Sequence, residues 1–101
     1  MDSTVGLEAL QENAQKATNI LKVMANEWRL LILCYLAKEE LSVSDLETKL
    51  GLSQSALSQH LAVLRREHLV ITRRSAQSIF YSLDSEDVKA LMETLYERFC
   101  T

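Results

Sequence analysis

A mainly α-helical fold with one short β-hairpin follows from three features of the sequence. Its 101 residues include no proline, so helices can run uninterrupted. Apolar residues recur at steps of three and four through most of the chain, the spacing of one helix face. Only between Leu69 and Leu83 does the period switch to alternation, the mark of half-buried strands. The length suits one domain with a modest core of its own. No apolar run approaches the roughly 20 residues of a membrane span, and the N-terminus lacks a signal-peptide core. A cytoplasmic protein is expected, with no membrane partner. Two cysteines are too few for a disulfide-stapled secreted scaffold.

In chain order, residues 1–6 read as a disordered polar lead and 7–101 as a single domain. Leu7, Leu10, Ala14, Ala17, Leu21 and Met24 form a seam on a first helix. That seam suits packing along another helix, in its own core or in a partner chain. Asn26 caps a second helix whose run Leu30 to Ala37 is apolar all round, as expected of the central, most buried helix. Lys38 to Glu40 end it. Ser42 and Asp45 then stand three apart, the spacing of a capping box. Leu46 and Leu50 give the third helix one apolar face, Gly51 ends it in a left-handed conformation, and Ser53 caps a fourth. Two helices so tightly joined make a helix-turn-helix, whose second member commonly enters the DNA major groove.

The fourth helix has two faces. Leu57, Leu61 and Leu64 point inward, while Ser55, Ser58, Gln59, Ala62, Arg65 and Arg66 fall on the other side. Small hydroxyls and amides in its first turns, with Ser53 and Gln54 before them, can approach base edges. Gln can pair with adenine through two hydrogen bonds, and the later arginines suit phosphate. Taken alone, the same pattern also fits a solvated face on a core helix. Two short strands follow, with Leu69, Ile71, Ile79, Tyr81 and Leu83 expected on one face and a turn around Arg74 to Gln77. Arg73, Arg74 and Gln77 near that tip suit the minor groove or backbone, so the hairpin reads as a wing. Asp84 or Ser85 caps a last helix with a wide stripe of Val88, Leu91, Met92, Leu95, Tyr96 and Phe99. Both terminal helices are more apolar than one small domain needs, which points to a homodimer.

Charge is divided along the chain in the same sense. The total is −3, but residues 52–81 hold four basic side chains and one acidic one. Residues 1–51 and 82–101 are each net −3. Positive charge is therefore confined to the reading helix and hairpin, and the acidic flanks should reduce nonspecific binding to phosphate.

The chain resembles the ArsR-type winged-helix repressors over about residues 17–100. Matching pieces are Met24-Ala25-Asn26, Arg29-Leu30-Leu31-Ile32-Leu33 and Glu40-Leu41-Ser42-Val43-Ser44-Asp45-Leu46. They continue with Leu52-Ser53-Gln54-Ser55-Ala56-Leu57-Ser58-Gln59-His60-Leu61, Leu64-Arg65 and Tyr81. His68 and Ala76 stand where the family usually carries glycine. The resemblance implies a sequence-specific regulator of transcription, repressor or anti-silencing activator, bound as a homodimer to an imperfect palindrome in double-stranded DNA. It also implies that His60 supports DNA contact, although in isolation a packed histidine fits that position better.

Metal sensing, the family's usual mode, finds no ligands here. Ser42 and Ser44 replace the cysteines of arsenic and cadmium sensors, and residues 84–100 contain no histidine. No metal or other cofactor is expected. Cys34 and Cys100 instead resemble the thiol pair of the HlyU and BigR branch, which implies control by oxidants or reactive sulfur. A thiol pair in a reducing cytosol suits a transient switch better than a structural crosslink, whereas Cys34 alone also fits core packing. No constellation for catalysis is present, so an enzyme is not expected. The other functional class that fits is a protein–protein adaptor that uses the winged helix as scaffold.

Overall fold

The computed structural model describes residues 6–100, with the side chain of Cys100 outside the described part. Of the polar lead, residues 1–5 lie outside the described residues. Gly6 is the N-cap of the first helix, its carbonyl accepting from the Leu10 amide at 3.1 Å.

Helix α1 (Leu7–Met24) leads into α2 (Glu27–Leu36) through a two-residue break. The Asn26 side chain caps α2 by accepting from the Arg29 amide at 3.1 Å, and Arg29 Nε donates back to the Val23 carbonyl at 2.6 Å. These bonds set the angle at which α2 leaves α1. Burial of α2 is one-sided, which corrects the expectation of an all-round buried helix. Ile32, Leu33 and Leu36 enter the core, but Trp28, Leu31 and Tyr35 are exposed, because the elements beside that face cover it only in part.

A two-residue strand that the sequence pattern does not announce comes next, β1 (Leu41–Ser42). It pairs antiparallel with the later strand β3 (Ser78–Leu83), Leu41 opposite Tyr81 and Ser42 opposite Phe80. Helix α3 (Val43–Leu50) starts with the expected capping box: Ser42 Oγ accepts from the Asp45 amide at 3.1 Å, and the Ser42 amide donates to Asp45 Oδ2 at 3.2 Å. Gly51 closes it at φ 68°, a conformation glycine adopts without a Cβ penalty. Ser53 Oγ then accepts from the Ala56 amide at 3.2 Å and opens α4 (Gln54–Arg66).

Strands β2 (Val70–Ser75) and β3 form the hairpin, and the sheet order is β1-β3-β2. A two-residue turn, Ala76-Gln77, joins them, and Ala76 takes φ 55°, as primed hairpin turns require at their first central residue. The expected strand faces need one correction. Val70, not Ile71, pairs with Leu83 and is buried, so Ile71 lies on the opposite face beside Ser82 and is 49% exposed. The strand begins at Val70 because Leu69 belongs to the turn that ends α4, which shifts the alternation by one.

Ser85, rather than Asp84, caps α5 (Glu86–Leu95), accepting from the Val88 amide at 3.0 Å. The chain then widens into a π-helical turn, Tyr96–Cys100. The i→i+5 pattern of such a turn changes the phase of the face. Val88 and Met92 are buried as expected, but Leu91 is 38% and Phe99 78% exposed. The core itself is one cluster, in which Leu33, Leu46, Leu57, Leu64 and Met92 are fully enclosed.

Candidate nucleic-acid interface

The caps and the core together fix the outward face of α4. With Leu57, Leu61 and Leu64 locked inward, Gln54, Ser55, Ser58 and Gln59 are exposed over its first turns, and Arg65 and Arg66 over its last. No carboxylate lies on α4, and its final turn is basic. Such a surface offers base-edge hydrogen bonds at one end and phosphate contacts at the other. Ser53 sits at the rim with its hydroxyl engaged in the cap, so its structural task is already set.

His60 departs from that face. It is half-buried on α4, and its pKa lies below the usual 6.5 because burial disfavours the imidazolium and the Arg29 guanidinium repels it. Its environment is therefore the junction of α2 and α4.

The wing arginines separate into two kinds. Arg73 Nε donates to both carboxylate oxygens of Glu40 at 2.8 Å, Nη2 lies 2.7 Å from Glu40 Oε1, and the guanidinium stacks 4.7 Å from the Phe80 ring centroid. The hydrogen bond to Glu40 holds the Arg73 pKa above its ordinary range. That cation braces the wing against the loop before β1. Arg74 and Gln77 are exposed toward the tip. Glu40 and Phe80 were not legible as partners of Arg73, since Glu40 is 33 residues away and reaches it only through the pairing of β1 with β3.

Cys34 is half-buried on the exposed side of α2. It lines a cleft of about 310 Å³ with Leu31, Tyr35, Lys38, Tyr96 and Phe99. The Lys38 ammonium lies 5.2 Å from the Tyr96 ring centroid, and its pKa is raised by a hydrogen bond to Tyr96. Thus α2 meets the same π-helical turn whose last residue is Cys100. Among the described residues, no group of three His, Cys, Asp or Glu side chains is placed to hold a metal ion, and no helix is long and apolar enough to cross a membrane.

Residues 26–72 match the family model described as "Bacterial regulatory protein, arsR family". The chain is 54% identical to the "Transcriptional activator HlyU" of Vibrio cholerae, over 95% of this chain and 89% of that protein. Among solved structures, "Reduced HlyU from Vibrio cholerae N16961" superposes with a TM-score of 0.90 at 55% identity, covering 94% of this chain and 100% of the other. The "transcriptional repressor BigR from Xylella fastidiosa" superposes with a TM-score of 0.82 at 37% identity, covering 96% and 99%.

Proposed function

From the premise that this chain belongs to the arsR family and is a winged-helix transcriptional regulator of the HlyU and BigR type, we propose that it works as a thiol-controlled homodimer on an imperfect palindrome in double-stranded DNA. The observation that carries the DNA reading is the division of α4: a leucine stripe fully enclosed, and an amide, hydroxyl and arginine face left to solvent. Each copy sets Gln54, Ser55, Ser58 and Gln59 into a major groove and Arg74 and Gln77 against the adjacent backbone or minor groove. Half-sites then fall roughly one helical turn apart.

Two copies join through α1 and α5. In support, these helices flank a groove whose lining is mostly apolar, Ala17, Ile20, Leu21, Ala90 and Leu91 beside Asn13, Lys16 and Asp87, and a second helix would cover it. Control rests on Cys34 and Cys100 in the cytoplasm. A disulfide oxidant takes two electrons from the thiols, which lose two protons and become joined while the oxidant is reduced to two thiols. Two equivalents of a persulfide donor give a trisulfide instead. The outer sulfur of one is inserted in the link, that of the other leaves as hydrogen sulfide carrying the two electrons and two protons, and both donors end as thiols. The link ties α2, packed behind the helix-turn-helix, to the end of the helix at the dimer junction, and so alters the spacing of the two reading helices. Coupling of about 1–3 kcal/mol, or roughly 5- to 150-fold in affinity, is the usual scale for such control. Metals have no part in it.

Gel-shift and footprinting titrations on the control region of the protein's own gene test this reading, with reduced, oxidised and persulfidated protein. Both modifications should produce an intramolecular adduct and weaken binding. Cys34→Ser or Cys100→Ser should bind normally and stop responding. Equal affinity of all three wild-type samples would remove the switch and leave Cys34 as packing. Release of DNA by low-micromolar zinc, cadmium or arsenite would replace it with a metal response.

A further inference from the structure

His68 occupies a backbone conformation that side chains disfavour. Its φ is 65°, in the left-handed region, directly after the C-cap of α4. The His68 amide donates to the Arg65 carbonyl at 3.1 Å, and the Leu69 amide to the Leu64 carbonyl at 2.9 Å. This is a Schellman ending, whose left-handed residue is usually glycine because a Cβ is penalised there. The helix ending explains the backbone shape but not the imidazole.

The side chain has a place of its own. His68 lines an open cleft of about 470 Å³ with Ser58, Arg65 and Arg66 of α4 and Tyr81 of β3. These groups supply two guanidinium forks, an imidazole and two hydroxyls, and no carboxylate lines the cleft. Val43, Leu61 and Ala62 form the apolar part of the lining, and the charged groups at the cleft are both cationic, which favours an anion. The cleft also lies in the angle between the outward face of α4 and the sheet of the wing. A duplex with its major groove on α4 and its neighbouring groove at the wing must carry one sugar-phosphate strand across that angle.

We propose that this cleft seats a backbone phosphodiester of duplex DNA, and that His68 and Tyr81, which lie off the reading face, contact that phosphate together with Arg66. The proposal rests on the DNA-binding reading above and adds the position of one phosphate. It also predicts an opposition between stability and binding at residue 68: glycine relieves the backbone but removes the contact.

Fluorescence anisotropy tests this with reduced full-length protein and a short labelled duplex of arbitrary sequence, since a phosphate contact does not depend on bases. Titrations run across a chloride series, at a temperature where circular dichroism shows every variant folded. His68→Gly should melt at a higher temperature than wild type and bind about five- to tenfold more weakly. Arg66→Ala should bind more weakly and lose about one unit of salt slope. Tyr81→Phe should show a smaller loss. Unchanged affinity in either His68→Gly or Arg66→Ala overturns the cleft, and a more stable His68→Gly that binds like wild type does so most directly. Inorganic phosphate at matched ionic strength should compete no better than chloride; selective competition would make this a site for the free anion and overturn the proposal. A wild-type protein that binds no duplex at all would sink the DNA reading itself, a result distinct from wild-type binding with unaffected variants.

Discussion

The helix-turn-helix and the terminal helices meet the demand for burial in opposite ways. Helices α3 and α4 are finished within one chain. Both N-termini are capped by serine, their leucines are enclosed except for the half-buried Leu50, and only polar or small side chains face out along the reading surface. Helix α1 is unfinished by the same measures. Its N-cap, Gly6, has no side chain, Leu7 is 71% and Leu21 54% exposed, and Met24 is its only buried residue. Helix α5 buries Val88 and Met92 but leaves Leu91 exposed, and Phe99 beyond it. One region presents a polar surface that suits a charged ligand. The other presents apolar surface that suits a second copy.

Leucine truncations should break this contrast most visibly. Leu57→Ala opens a cavity in the core and should cost about 3 kcal/mol in urea unfolding, within the usual range for buried leucine. Leu21→Ala removes a side chain the single chain leaves 54% exposed, so unfolding of the monomer should change by about 1 kcal/mol or less. Self-association should weaken in that variant alone. Equal losses of stability at the two positions would erase the distinction.

Contacts on the polar surface give the next effect in size. Gln59→Ala should relax base preference by about 1–3 kcal/mol at the base it reads. Arg74→Ala should weaken specific and random duplexes alike and lower the salt slope by about one unit. Arg73→Ala should lower the slope less, because Glu40 already neutralises that cation. Uniform loss across all three variants would mean that the surface is not divided between reading and positioning.

The smallest effect is a pH dependence at the α2–α4 junction. The folded pKa of His60 is lowered, by burial first and Arg29 second, so the unfolded chain binds the proton more readily. Stability then rises with pH wherever the unfolded state holds more protons. His60 should contribute fully above its usual 6.5, and that contribution should disappear as pH falls through the lower folded value. Thermal melts of His60→Gln should show a shallower acid-side decline than wild type.

Much of the polar region was legible in the sequence because its determinants are local. The Ser42–Asp45 capping box, Gly51, the Ser53 cap and the Leu57, Leu61, Leu64 stripe each lie within a turn or two of the element they specify. What escaped was nonlocal. Strand β1 is two residues long and exists only through its pairing with β3. The Glu40–Arg73 brace needs that same pairing, so the sequence treated Arg73 and Arg74 as equivalents. The face of Ile71 was not legible because the Schellman ending takes Leu69 out of the strand, nor was the turn that carries Phe99, because a π-helical turn has no apolar signature. On α2, the apolar run Leu30 to Ala37 revealed how much surface wants cover, but not that a single chain covers only one side.

In the proposed assembly two such chains, joined through α1 and α5, present two reading helices to one duplex. Analytical ultracentrifugation of the reduced protein at micromolar concentration, alone and with a labelled duplex from its own control region, measures this most directly. A dimer is expected in both samples, with two chains per duplex and dissociation of the unbound dimer by Leu21→Ala. A monomer that stays monomeric and saturates the duplex one chain at a time would contradict that assembly.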